Sequence, residues 1–160
     1  MSEISRLTEL LQSTFEGPAW HGAPVLGVLQ GVHADTASVQ PIEDAHSIWE
    51  IVLHMTAWVN GVTDRLNGKE ICIEGAKDWP KPGSTEAEWH LTVDLLKAAY
   101  RDLVERVGKL TEGELAATAP TGKFTRYTLI LGVIQHNLFH AGQIMLMRKA
   151  LGLPTTPDQE

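Results

Sequence analysis

Two histidines stand four residues apart inside an apolar stretch near the end of the sequence. His136 and His140 belong to the run of residues 131–147. Each residue of a helix turns by about 100°, so side chains four apart lie about 40° apart on one face. Val133 and Ile144 fall on that face, which predicts that both imidazoles lie in the buried stripe of the helix. A buried imidazole needs a hydrogen-bond partner or a metal ion, so this pair is the first candidate for chemistry.

A third imidazole is expected from a different helix, and His54 is the candidate. Small residues on its face, Ala57 and Gly61, leave room around the ring. Three neutral imidazoles can bind one divalent ion such as zinc, nickel or iron, and leave a position for water or substrate. In the alternative interpretation, the three rings are core or pocket histidines bonded to carbonyl groups, to Glu50 or to Gln143.

Two further polar residues are candidates for catalysis beside this site. Glu50 lies one helical turn before His54, where it can orient a ligand or accept a proton; the alternative is a position on the solvent-facing surface of the helix. Gln143 lies three residues after His140, where it can orient that ring or contact a substrate. The helical metalloprotease motif His-Glu-x-x-His is absent, because Asn137 follows the first histidine.

Composition excludes several function classes. The chain of 160 residues predicts a single domain over residues 1–160. A net charge of −7 without a basic run argues against nucleic-acid binding. With Cys72 as the sole cysteine no internal disulfide can form, and a buried, unreactive thiol is expected. The first residues lack a signal peptide, and no apolar stretch approaches the roughly 20 residues of a membrane span. We therefore expect a cytoplasmic protein.

Helical periodicity dominates the sequence, and no strand alternation of any length is present. We predict four long helices joined by long connections, hence an all-α four-helix bundle. Shorter helical pieces are expected after Pro24 and within residues 33–43, and residues 111–124 are predicted to form a loop. The predicted long helices cover residues 2–15, a segment capped by Asp44 and ending near Leu66, a segment that starts at the Thr85 and Glu88 capping box, and a segment from Thr125 to about Leu151.

Two segments of the chain resemble helices of the DinB/YfiT-like family. Residues 46–55 read His-Ser-Ile-Trp-Glu-Ile-Val-Leu-His-Met and resemble its second helix. Residues 136–144 read His-Asn-Leu-Phe-His-Ala-Gly-Gln-Ile and resemble its last helix, and the similarity covers nearly the whole chain. The resemblance implies a four-helix bundle in which His54, His136 and His140 hold one metal ion. It also implies a tendency to form homodimers.

The resemblance suggests a reaction class without naming a substrate. Family members of known activity include metal-dependent transferases and isomerases that use low-molecular-weight thiols. A thiol-dependent S-transferase or a hydrolase acting on a small molecule is therefore the first hypothesis, with Lys123 and Arg126 as the only visible cations for a thiol cofactor. The alternative is a non-catalytic, metal-stabilised stress-response or ligand-binding module. A metal-free helical interaction protein is favoured only if the three histidines lie apart.

Overall fold

The fold is all-α, as the sequence predicts. The computed structural model describes residues 1–120 and 123–154. Over these residues the chain forms seven α-helices and no strand, with one isolated bridge between Thr118 and Thr125. The helices are α1 (Glu3–Glu16), α2 (Val25–Leu29), α3 (Ala34–Ala37), α4 (Ile48–Leu66), α5 (Glu86–Gly108), α6 (Glu112–Ala116) and α7 (Arg126–Ala150), with a short 3-10 helix at Gly75–Lys77.

Four of the helices are long and surround one apolar core. α1, α4, α5 and α7 have 14, 19, 23 and 25 residues. α1 and α4 each pack against both α5 and α7, so the four helices form a closed ring. Leu11, Met55, Leu103 and Ile144 contribute one fully buried side chain from each of them. Three short helices form in the connections: α2 and α3 lie where short helical pieces were predicted, and α6 was not predicted. The single domain over residues 1–160 stays a prediction.

Reciprocal capping sets where α4 begins, and it corrects one prediction. The Ser47 hydroxyl accepts from the Glu50 N–H at 3.2 Å, and the Glu50 carboxylate accepts from the Ser47 N–H at 2.8 Å. The predicted cap, Asp44, is wrong: it lies before the helix with φ of 60°. A capping box needs Glu or Gln three residues after the cap. Glu50 stands at that position for Ser47, whereas no such residue does so for Asp44.

A capping box also explains a helix that was not predicted. The side chains of Thr111 and Glu114 cap α6 in the same reciprocal way. This helix interrupts the segment 111–124, which was expected to be a loop throughout. The Thr-x-x-Glu pattern of a capping box is present in the sequence. Gly113 is a poor helix former and the segment is short, so the pattern is difficult to recognise as the start of a helix.

The connection after α4 folds back along that helix. Gly61 makes this approach possible, since a Cβ atom there would lie 2.3 Å from Cδ1 of Ile73 and 3.0 Å from Cδ1 of Ile71. Cys72 lies between these two half-buried isoleucines and is itself exposed. The prediction of a buried Cys72 is therefore wrong. The same connection then carries Asp78 and Trp79 to His54.

The last long helix lies in the ring of four and is held at its end by an arginine. Arg148 is 4% exposed and donates to the carbonyl oxygens of Val28, Gln30 and Pro154 at 3.1, 2.7 and 2.9 Å. By length and composition alone, α7 is also apolar enough to cross a membrane, which the sequence analysis did not anticipate. A core helix passes the same test, and α7 packs against α4, α1 and α2.

Candidate metal centre

Three imidazoles from two helices meet at one point. His54 lies midway along α4, and His136 and His140 lie one turn apart on α7. Nε2 of His136 is 3.0 Å from Nε2 of His54 and 3.1 Å from Nε2 of His140. His54 and His140 are only 6% and 5% exposed. The structure thus brings together the three side chains that the sequence analysis selected, on the packed face between α4 and α7.

The other ring nitrogen of each histidine faces an oxygen acceptor. Nδ1 of His54 lies 2.9 Å from the carbonyl oxygen of Asp78, and Nδ1 of His140 lies 2.6 Å from Oε1 of Gln143. Nδ1 of His136 lies 3.4 Å from Oδ1 of Asn137. A carbonyl or amide oxygen can only accept a hydrogen bond, so each facing Nδ1 carries the proton. The three Nε2 atoms are therefore left with their lone pairs directed at one another.

Burial favours the neutral form of the two α7 rings, His136 and His140. It lowers the pKa of His136, and the neighbouring His54 lowers that pKa further. Burial and the adjacent His136 lower the pKa of His140 to about 4. At neutral pH, protonation of His136 or His140 is therefore unfavourable and does not relieve the repulsion among the three converging lone pairs.

A divalent cation fits this donor set. Zinc bound by imidazole at about 2.0–2.1 Å holds tetrahedral ligands about 3.3 Å apart. The two short Nε2 separations, 3.0 and 3.1 Å, are close to that value. All three candidate ligand atoms lie within 4.8 Å of one another, and within residues 1–120 and 123–154 the cluster gains no fourth histidine, cysteine or carboxylate.

Asp78 and Trp79 form one wall of the centre, and the sequence analysis missed both. Oδ1 of Asp78 lies 3.0 Å from Nδ1 of His54 and accepts from the Trp58 indole N–H at 2.8 Å. The Trp79 ring stacks on His54 with 4.0 Å between centroids and on His46 with 3.5 Å. In the sequence, Trp79 precedes Pro80 in a segment without helical periodicity. Its position beside His54 depends on how the connection folds back on α4.

The two predicted catalytic residues occupy different environments. Gln143 lies at the centre, with its oxygen on His140. Glu50 caps α4: its carboxylate accepts from the Ser47 N–H and from the Gln40 amide, and lies 3.6 Å from Nδ1 of His46. Burial alone would raise the pKa of Glu50, but these hydrogen bonds outweigh it and lower the pKa. In the described part of the chain none of its contacts involves the three histidines, and its role in catalysis stays a prediction.

A pocket of about 240 Å³ opens beside His136. Its surface is mainly apolar, and the lining includes Trp58, Arg65, Phe124, Leu129, Gly132 and His136. The cation at this pocket is Arg65, near the end of α4. Of the two cations that the sequence analysis had considered for a thiol cofactor, Lys123 is exposed and Arg126 lies near the carbonyl oxygen of Glu114 at 3.4 Å.

Comparisons with known proteins give one match. Residues 19–144 match the protein-family model described as DinB superfamily, a span that contains the three histidines, Asp78 and the pocket. Neither the curated proteins nor the solved structures contain a match to the chain.

Proposed function

The chain belongs to the DinB superfamily, and we propose that it is a metal-dependent enzyme whose single divalent ion is held by His54, His136 and His140. The observation that carries the proposal is the convergence of three Nε2 lone pairs, each ring being oriented by an acceptor at Nδ1. Zinc, nickel and iron all suit three imidazoles. Converging neutral donors without a shared cation would repel one another, so packing alone does not account for the arrangement.

The residues around the centre have separate tasks in this proposal. A bound divalent ion would supply Lewis-acid activation of a thiol or of water for attack on an electrophile. Asp78 and Gln143 hold the imidazole protons at Nδ1 of His54 and His140, which keeps both Nε2 atoms free to coordinate. Trp79 covers the face of His54 and excludes water from that side. The pocket beside His136 holds the substrate.

Two reaction types remain within this proposal. One is an S-transferase that uses a low-molecular-weight thiol as co-substrate, and the other is a hydrolase. The competing function is a non-catalytic module in which the metal only stabilises the helices. A fourth protein ligand would favour that module. The absence of one among the described residues, together with the adjacent pocket, favours an enzyme.

Metal analysis of the purified protein tests the centre. We expect roughly one divalent ion per chain in the wild type, and loss of that ion in His54→Ala and His140→Ala. The matched control is His90→Ala, which removes a histidine whose side chain is 68% exposed. Retention of metal in both site variants would overturn the proposal. Assays of the zinc, nickel and iron forms with small thiols plus electrophiles, and with ester substrates, would then distinguish the two reaction types from a non-catalytic module.

A homodimer in the cytoplasm is a further proposal. Two large apolar side chains on α7, Phe139 and Leu146, are 65% and 55% exposed and are suited to contact a second copy. Light scattering after size-exclusion chromatography measures the molar mass in solution, and a monomeric mass would contradict the proposed homodimer.

A further inference from the structure

We propose that the pocket beside His136 binds a small apolar substrate that carries one anionic group, and that Arg65 recognises the anion. The inference rests on the proposed function, because the pocket is taken as the place where the substrate meets the metal centre. It adds the chemical class of that substrate, which neither the three histidines nor the family match specifies.

The size and surface of the pocket fit a substituted aromatic ring. Its volume is about 240 Å³, whereas an apolar cavity of about 150 Å³ is enough to bind benzene. Trp58, Leu129 and Phe124 present flat or branched apolar surfaces to it, and Phe124 is 52% exposed. Gly132 adds space on the α7 side, since a Cβ atom built there meets no other atom within 4 Å.

Arg65 is the charged group in this apolar lining, and it is held in a fixed position. Its Nη2 donates to the carbonyl oxygen of Ile71 at 3.3 Å, and its Cζ lies 5.7 Å from the centroid of the Trp58 ring. These two contacts orient the guanidinium before any ligand arrives, which lowers the entropic cost of binding.

The guanidinium also has unused capacity for an anion. Within the described part of the chain, no carboxylate lies within 4.0 Å of Arg65, and the hydrogen bond that its guanidinium makes there is the one from Nη2 to Ile71. Because Nε is buried, an anion would be bound through the two Nη atoms. An arginine fork matches a carboxylate with two parallel hydrogen bonds. A neutral ligand would leave the cation unpaired, so the pocket should discriminate strongly between an acid and the corresponding alcohol.

In the alternative interpretation, Arg65 only stabilises α4 and does not bind a ligand. A cation in the last turn of a helix interacts favourably with the helix dipole, and the side chain also covers part of Trp58. In that case an acid and an alcohol of the same shape would bind with equal affinity, since the arginine would not contact either ligand.

The test compares 3-phenylpropanoate with 3-phenylpropan-1-ol by NMR titration at pH 7. The metal-free protein gives the decisive result, because a carboxylate could also bind a metal ion, and the zinc-loaded protein is titrated alongside. We expect the acid to bind at least about 10-fold more tightly, the ratio that a charged hydrogen bond provides. Arg65→Gln should abolish this preference. The control Arg6→Gln changes an arginine whose side chain is 66% exposed and should preserve it.

A second variant keeps the test decisive if Arg65→Gln does not fold. Gly132→Leu should fill the pocket and weaken binding of both probes at least about 10-fold. Gly142→Leu is its matched control, because a Cβ at this exposed position of α7 also meets no atom within 4 Å. Equal affinity for acid and alcohol, a preference that survives Arg65→Gln, full affinity in Gly132→Leu, or no binding up to about 10 mM would each overturn the pocket proposal.

Metal content, measured on the same samples, separates this proposal from the one on which it rests. If the wild type holds no metal but shows an Arg65-dependent preference for the acid, the proposed metal centre fails while the anion pocket stands. If the wild type holds metal and the preference is absent, the pocket proposal alone fails.

Discussion

The carbonyl oxygen of Asp78 accepts a hydrogen bond from Nδ1 of His54 at 2.9 Å, and Oδ1 of the same aspartate lies 3.0 Å from that nitrogen. Two oxygens of one residue thus hold the proton of the imidazole on the side away from the other histidines. The aspartate is itself fixed, because Oδ1 also accepts from the Trp58 indole at 2.8 Å. The connection between α4 and α5 therefore determines which nitrogen of His54 faces the candidate metal.

Asp78→Ala should weaken metal binding by about 10- to 100-fold, the usual cost of removing a group that orients a metal ligand. The loss should be smaller than in His54→Ala, because the backbone carbonyl of residue 78 remains. Competition with a chelator of known affinity measures the change. Asp94→Ala, which removes an aspartate with a 68% exposed side chain on α5, is the control. Equal affinities for Asp78→Ala and Asp94→Ala would exclude the orienting role.

Gln143 should have a similar effect from the other helix. Its oxygen holds Nδ1 of His140 at 2.6 Å, so Gln143→Ala is expected to lower metal affinity by about 10-fold. Gln135→Ala changes an exposed glutamine of the same helix and should leave the affinity unchanged. If Gln143→Ala lowers turnover while metal affinity stays at the wild-type value, the residue contacts substrate instead, which was the other expectation from the sequence.

The metal ligands could be predicted from the sequence because the features that place each histidine on a buried helix face are local. The spacing of His136 and His140 fixes their shared face, and the apolar neighbours of His54 fix its direction. The cap at Thr85 and the start at Thr125 were predictable for the same reason. The resemblance of both segments to one family then indicated that the two helices contribute ligands to one metal site.

Other parts of the site depend on contacts between distant segments. Asp78 reaches His54 across 24 residues because the connection folds over Gly61, and no periodicity encodes that path. Arg65 was visible as a cation near the end of a helix, but its pocket exists only where α4 meets residues 124–136. The error at Asp44 has a different cause, since two good capping residues compete within four positions and the reciprocal bond of Glu50 selects Ser47.

Arg148 should be important for stability and irrelevant to metal binding. It is 4% exposed and donates to three carbonyl oxygens that join α7 to α2 and to the segment that follows α7. Arg148→Met would remove all three hydrogen bonds, the buried one to Val28 among them, so we expect the free energy of unfolding to fall by about 3 kcal/mol. Urea denaturation measures the loss. Lys149→Met, at an exposed neighbouring position, should change stability little. A similarly small effect of both variants would contradict the stabilising role of Arg148.

Glu50 provides a pH-dependent test of its capping role. Hydrogen bonds from Ser47 and Gln40 overcome the opposing effect of burial and lower its pKa from the ordinary value of 4.5. The unfolded chain therefore takes up this proton first as the pH falls. The contribution of Glu50 to stability is thus complete well above pH 4.5 and disappears as the pH falls through the lower, folded pKa.

Glu50→Ala should lower the free energy of unfolding by about 1 kcal/mol at pH 7, and the difference from the wild type should shrink below pH 4.5. Measuring the difference between the two proteins cancels the other capping carboxylates, Glu88 and Glu114, whose pKa values are also lowered. Glu43→Ala, at an exposed position before the helix, is the control. Metal content should stay at the wild-type level in both variants. A Glu50→Ala protein with unchanged stability at every pH but without turnover would instead support the proton-accepting role expected from the sequence, because removing a cap must cost stability whereas removing a catalytic base need not.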